Sequence, residues 1–196
     1  AWALCNPPAA DPSRADLGLV VTASHNPPTD NGLKLLLPDG RLAPNDVTSQ
    51  ILAHLDTAPP RPPHAHPAPR EADLTGAYVA GLRALVPPPP RGARIVADAM
   101  HGAGRRAICE AFDGWGPLHA IHTDLDPAFG GRRPDPRPET LEELARFTRE
   151  EGADIGCALD GDGDRFGIVD ALGPGAARFR ASRSALPSRH LPMVDR

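Results

Sequence analysis

Aromatic residues make up only 4% of this 196-residue sequence, and its charge is nearly balanced, with 21 Lys and Arg against 25 Asp and Glu. A nucleic-acid binder shows a basic face interleaved with stacking rings, so that class is excluded. Cysteine is scarce as well. The three cysteines, at 5, 109 and 157, have neither metal-ligand spacing nor an even count, and read as reduced thiols of a cytoplasmic protein. No window holds eighteen consecutive apolar residues, so no membrane-spanning helix is expected. Leu, Ile, Val and Phe together reach about a fifth of the residues, the lower edge for a packed globular chain. Lysine is nearly missing: Lys34 stands alone among arginines.

What is abundant is proline, 25 residues, which confines helices to the stretches it leaves free. Residues 59–69 read Pro-Pro-Arg-Pro-Pro-His-Ala-His-Pro-Ala-Pro, an extended linker that places a domain boundary at 58–70. Before it, an apolar β-branched run at 17–23 and a second at 33–37 predict two strands, the latter closed by the turn pair Asp39-Gly40. Helical spacing follows at 46–55, with Asn45 as its cap. Beyond the linker, a helix is predicted at 73–86, a strand at 94–97, a helix at 104–112 and a strand at 118–122. A helix at 139–151 and strands at 155–159 and 166–169 complete the pattern. Strands alternating with helices predict an α/β fold with mixed, mainly parallel sheets flanked by helices. The domains so read are 1–57, a partial first α/β domain, and 71–173, a three-layer α/β/α domain. Residues 174–196 form a basic tail. From 171 onward there are five Arg and one Asp with no apolar face, and the expectation there is disorder or loose attachment. The sequence opens at Ala1-Trp2 without a signal-like segment, which reads as a start inside a longer protein.

The densest chemistry is Asp160-Gly161-Asp162-Gly163-Asp164-Arg165, between two predicted strands. Three carboxylates at alternate positions, on glycines that let the backbone curl, can converge on one hard cation such as Mg²⁺ or Ca²⁺. A calcium EF-hand loop would need glycine and glutamate where Arg165 and Ala171 stand, so that loop is excluded. Arg165 is placed beside the cation to grip a phosphate. A second candidate is Thr22-Ala23-Ser24-His25-Asn26-Pro27, at the tip of the first strand, where α/β sheets place ligands and nucleophiles. It is not a hydrolase elbow, because Thr22 and Asn26 occupy the glycine positions. Ser24 and His25, if on a strand, would point apart, so no Ser-His pair is implied. Lys34 can lose its proton where an arginine cannot, which suits proton transfer. Gly102-Ala103-Gly104-Arg105-Arg106-Ala107, with Asp124 about 20 residues on, fits most of a dinucleotide fingerprint. Four residues separate its first glycine from the preceding strand, where that fingerprint has a tight turn.

Four ordered motifs, Thr-Ala-Ser-His-Asn-Pro at 22–27, Asn-Gly-Leu-Lys at 31–34, Asp-Ala-Met-His-Gly-Ala-Gly at 98–104 and Asp-Gly-Asp-Gly-Asp-Arg at 160–165, resemble the α-D-phosphohexomutases. This is the phosphoglucomutase/phosphomannomutase family of four-domain enzymes. The resemblance runs from about residue 16 to 173 and covers the end of the first domain and the second. It implies a phosphoserine at Ser24 that donates its phosphoryl group to a glucose or mannose phosphate, passing through a hexose 1,6-bisphosphate. It implies one Mg²⁺ held by Asp160, Asp162, Asp164 and a phosphoserine oxygen. Lys34 matches a proton-transfer position, and His25 and Arg165 match active-site positions. Phosphoglucosamine mutase is a close sibling, and a non-catalytic Mg²⁺- or phosphate-binding remnant is the alternative from another class. The loops at 24 and 160 must then meet.

The departures are the family's Gly-Glu-x-Ser-Gly-His sugar loop, its Arg-x-Ser-Gly-Thr-Glu-Pro phosphate loop and its Thr-Ser-Gly-x-Arg-Gly motif, none of which occurs here. They belong to the third, fourth and first domains, and the third and fourth are expected as partners supplied by the rest of the same protein. A frameshift or truncation after Asp170 would account for the change of pattern there.

Overall fold

The computed structural model describes residues 2–6, 15–57, 69–170 and 180–183. Most of the proline-rich segment expected as a linker lies outside the described residues. The chain divides into two compact units, Ala1–Val21 with Leu33–Leu74, and Thr22–Gly32 with Thr75–Arg196.

In the first unit a short helix α1 (Trp2–Cys5) precedes two strands, β1 (Gly18–Val21) and β2 (Leu33–Leu36), paired antiparallel with Val21 opposite Leu33. Both strands were expected, and their ends fall within two residues of the apolar runs. The Asp39-Gly40 turn follows as predicted. Gly40 has φ 77°, and the Asp39 carboxylate accepts from Arg41 N at 3.1 Å and Arg41 Nε at 2.6 Å. The helix α2 (Asn45–Thr57) starts on Asn45 itself, so this residue is the first helical position rather than a cap. Few apolar side chains of this unit are buried: Leu4 and Leu36 are, whereas Leu19, Val21, Leu33, Leu52 and Leu55 are exposed.

The second unit contains helices α3 (Thr75–Leu85), α4 (Arg105–Phe112) and α5 (Glu142–Glu150) and strands β3 (Ile95–Asp98), β4 (Leu118–Ile121), β5 (Ile155–Leu159), β6 (Arg165–Asp170) and β7 (Arg180–Arg183). The sheet order is β4-β3-β5-β6-β7. β3 pairs in parallel with both β4 and β5, while β5–β6 and β6–β7 are antiparallel. All four residues of β3 are buried, as a parallel strand covered on both faces requires. Val96 faces one cluster with Leu141, Leu144, Ala145, Ala158 and Val169, the side covered by α5. Ala97 faces the other, with Ile108, Phe112 and Leu118, the side covered by α4. Helices on opposite faces follow from crossovers that run in opposite directions along the sheet, from β3 outward to β4 and then from β4 back past β3 to β5. The result is the three-layer α/β/α arrangement that the sequence predicts.

Two further expectations change. Within the basic tail, residues 180–183 form β7, which adds to β6 through its backbone, with Ser182 opposite Phe166; the rest of the tail, 174–179 and 184–196, lies outside the described residues. Main-chain hydrogen bonding needs no apolar face, which is why residue pattern alone read this stretch as loosely attached. The helix at 139–151 starts later, at Glu142, because Pro138 and Thr140 form a turn in which Thr140 Oγ1 accepts from Arg137 N at 2.9 Å.

Candidate active site

The acidic loop is the hairpin turn between β5 and β6, closed by Asp160 N donating to Arg165 O at 3.1 Å and Gly163 N donating to Asp160 O at 3.1 Å. Gly163 sits at φ 74°, a left-handed position that explains a glycine there. Asp160, Asp162 and Asp164 each present an oxygen within 4.8 Å of the others. Asp160 is fully buried, Asp162 half-buried and Asp164 exposed. Burial pushes the Asp160 carboxyl above the usual carboxylate range, and Asp162 and Asp164 add to this, while hydrogen bonds from Arg165 pull it down. Arg165 donates from N and Nε to Asp160 at 3.0 and 2.9 Å and from Nη1 to the buried Asp135 at 3.0 Å. Its Nη2 is buried and meets no hydrogen-bond acceptor among the described residues. The donor set, three convergent hard oxygens with more negative charge than one guanidinium offsets, fits a divalent cation such as Mg²⁺. The Nη2 group fits an anionic oxygen.

Residues 22–32, between β1 and β2, belong to the same unit as this hairpin. Ser24 lies in a turn at φ 59°, not on the strand, so the strand-alternation argument does not apply to it. His25 Nδ1 lies 3.5 Å from Ser24 Oγ, at the outer limit of a hydrogen bond. Ser24 N donates to Thr22 Oγ1 at 2.8 Å, and Thr22 Oγ1 donates to Asp162 Oδ2 at 3.0 Å. The Ser24 carbonyl oxygen lies 3.0 Å from the point where a Cβ on Gly161 would stand. The two motif loops are therefore in contact, as the sequence required. Lys34 lies half-buried in β2, opposite Val20 in the first unit.

The dinucleotide-like glycines serve packing. A Cβ on Gly102 would lie 2.7 Å from Gly161 O, and one on Gly104 would lie 2.5 Å from Leu159 Cδ1. Ala103 N donates to Gly161 O at 2.9 Å. The loop 98–104 thus buttresses the acidic hairpin. Behind it lies a cluster that the sequence reading did not assign. The buried Asp98 accepts from Met100 N at 2.8 Å and pairs with His122 Nδ1 at 2.9 Å, while His122 Nε2 lies 2.8 Å from Arg132 Nη2. The hydrogen bond to Asp98 raises the His122 pKa above its ordinary value. Met100, His101 and His122 all have positive φ, a conformation sequence pattern does not announce in non-glycine residues.

A partly parallel α/β/α sheet whose antiparallel hairpin carries an aspartate triad, with a serine loop seated against it, defines a specific architectural class. Residues 76–173 match the family described as phosphoglucomutase/phosphomannomutase, alpha/beta/alpha domain II, and residues 9–61 match its alpha/beta/alpha domain I. The chain belongs to the phosphoglucomutase/phosphomannomutase family. It is 36% identical over 169 residues to a phosphoglucosamine mutase from Solidesulfovibrio magneticus, covering 82% of this chain and 37% of that protein. It is also 36% identical over 163 residues to a phosphoglucosamine mutase from Saccharopolyspora erythraea, covering 82% of this chain and 36% of that one. The crystal structure of a family protein from Burkholderia thailandensis superimposes with TM-score 0.73 at 30% identity, over 85% of this chain and 36% of that one. The chain thus spans little more than a third of the length of these relatives. Among the described residues, no helix is long and apolar enough to cross a membrane.

Proposed function

We propose that this chain carries the phosphoserine and metal portions of a phosphohexomutase, which interconverts hexose 1- and 6-phosphates through a 1,6-bisphosphate. The observation that carries the reading is the seating of the Ser24 loop on the Asp160–Asp164 hairpin, through Ser24 O against Gly161 and Thr22 against Asp162. In the step proposed, a sugar hydroxyl attacks the phosphorus of phosphoserine 24 and the Oγ–P bond breaks. The hydroxyl proton leaves to a base, and Oγ regains a proton or takes a phosphoryl group from the sugar's other end. Lys34 and His25 are the proposed proton-handling groups, and Arg165 Nη2 the proposed donor to a phosphate oxygen. Mg²⁺ held by Asp160, Asp162 and Asp164 with a phosphoserine oxygen would supply charge neutralisation for the phosphoryl group in flight. The sugar-binding and distal phosphate-binding groups would come from further domains of the same protein.

The substrate class is a hexose phosphate. Glucose and mannose phosphates fit the family, and glucosamine phosphate is favoured by the names of the relatives at 36% identity. Cytoplasmic placement goes with this reading, since all three cysteines are free.

The test is incubation with ³²P-labelled glucose 1,6-bisphosphate and Mg²⁺. Label on the wild-type chain and none on Ser24→Ala is expected. No label on the wild type would favour a non-catalytic remnant, and label persisting on Ser24→Ala would remove the serine from its role. Rates of the full-length gene product with glucosamine, glucose and mannose 6-phosphates then decide the sugar, with glucosamine expected to lead.

A further inference from the structure

Thr22 stands immediately after β1, where the chain leaves the sheet, and its own N–H is held by Gly32 O at 2.9 Å. Its hydroxyl has one proton, and the geometry decides where it goes. Ser24 N can only donate, so the hydroxyl oxygen accepts there, at 2.8 Å. Asp162 Oδ2 can only accept while ionised, so the hydroxyl proton points to the carboxylate, at 3.0 Å. One side-chain oxygen therefore links the backbone of the nucleophile to a carboxylate of the proposed metal triad, 140 residues apart in sequence.

Both bonds have consequences. Ser24 has φ 59°, a conformation L-residues other than glycine avoid, and the bond from its N–H to Thr22 helps hold it there. Asp162 is half-buried, and the charge-assisted bond from Thr22 to Oδ2 helps orient its carboxylate. Hydrogen-bond partners that orient a ligating group influence metal affinity by about 10- to 100-fold.

We propose that Thr22 is the positioning residue that couples the Ser24 loop to the metal triad, orienting Asp162 for the cation and Ser24 for phosphoryl transfer. The proposal rests on the phosphohexomutase reading for the roles of Ser24 and Asp162.

The experiment titrates the full chain with Mn²⁺, following free Mn²⁺ by electron paramagnetic resonance, and in parallel measures phosphoryl transfer to Ser24. Thr22→Val keeps the volume and removes both hydrogen bonds. It is expected to weaken Mn²⁺ binding about 10-fold or more and to slow labelling of Ser24 further at subsaturating metal. Thr22→Ser restores the hydroxyl and should bind within about threefold of wild type. Thr22→Ala repeats the loss of the hydroxyl with a smaller side chain, should Thr22→Val not fold. Mn²⁺ affinity unchanged in the folded hydroxyl-free variants would overturn the proposal. So would Thr22→Ser binding as weakly as Thr22→Val, since that traces the effect to the methyl group. Asp162→Asn separates the two levels of the argument. If it binds Mn²⁺ as wild type does, the metal reading itself fails; if it loses binding, the outcome at Thr22 judges the positioning role alone.

Discussion

Replacing Gly102 with alanine tests how tightly the acidic hairpin is held. The φ of Gly102 is not positive, so alanine is conformationally permitted and only space matters. Its Cβ would lie 2.7 Å from Gly161 O, 3.0 Å from Asp160 O and 3.1 Å from Gly161 C. Relief requires a shift of about half an ångström in backbone that is packed on its far side. A Cβ on Gly161 would itself lie 3.0 Å from Pro134 Cγ, and Gly161 N donates to Pro134 O at 3.1 Å. The shift also stretches the bond from Ala103 N to Gly161 O. Overpacking of this kind costs about 1–3 kcal/mol, and weakening one hydrogen bond adds about 1 kcal/mol. A total of about 2–4 kcal/mol lowers the melting temperature by roughly 4–16 °C in a chain of this size. Thermal unfolding by circular dichroism measures it, and a Mn²⁺ titration of the folded variant should show weakened binding because Asp160 moves with Gly161. A melting temperature within about 2 °C of wild type and unchanged Mn²⁺ affinity would refute the reasoning.

Three further predictions follow from the fold. His122 has a pKa raised by its bond to Asp98, so the stability it contributes is fully present below about 6.5 and is lost as pH rises through the raised value. Melting temperatures of wild type should therefore fall more steeply as pH rises above about 6.5 than those of His122→Gln, and equal slopes would show that the pair does not titrate as described. Leu144, fully buried between α5 and the sheet, should cost about 2–5 kcal/mol as Leu144→Ala in urea unfolding, and a loss under 1 kcal/mol would contradict its place in the core. Gly76→Ala meets nothing within 4 Å near the start of α3 and should stabilise by up to about 0.5–1 kcal/mol; measurable destabilisation would argue against the open space there.

The fold was legible where burial imposes a pattern. Ile95–Asp98 is buried on both faces and its apolar run announced it, and α4 and the strands β4 to β6 lie within a residue or two of their expected positions. Backbone-driven features were not legible, because no side-chain period marks them: the β7 strand, the single turn of 3₁₀ helix at Phe129–Gly131, and the positive φ at Met100, His101 and His122. In the site, the aspartate triad and Ser24 stood out by residue type and spacing. Thr22 and Asp98 did not, since their importance lies in partners 140 and 24 residues away. The strand-alternation argument for Ser24 and His25 lapses for a local reason: Ser24 has already left the strand.

The central claim, that Ser24 and the aspartate triad form one metal-assisted phosphoryl-transfer centre, is tested most directly by ³¹P NMR of the chain phosphorylated at Ser24. On adding Mn²⁺, the account predicts paramagnetic broadening of the phosphoserine resonance at low metal occupancy, lost in Asp162→Asn. A resonance that stays sharp while Mn²⁺ binds would place the cation away from the serine and contradict the account.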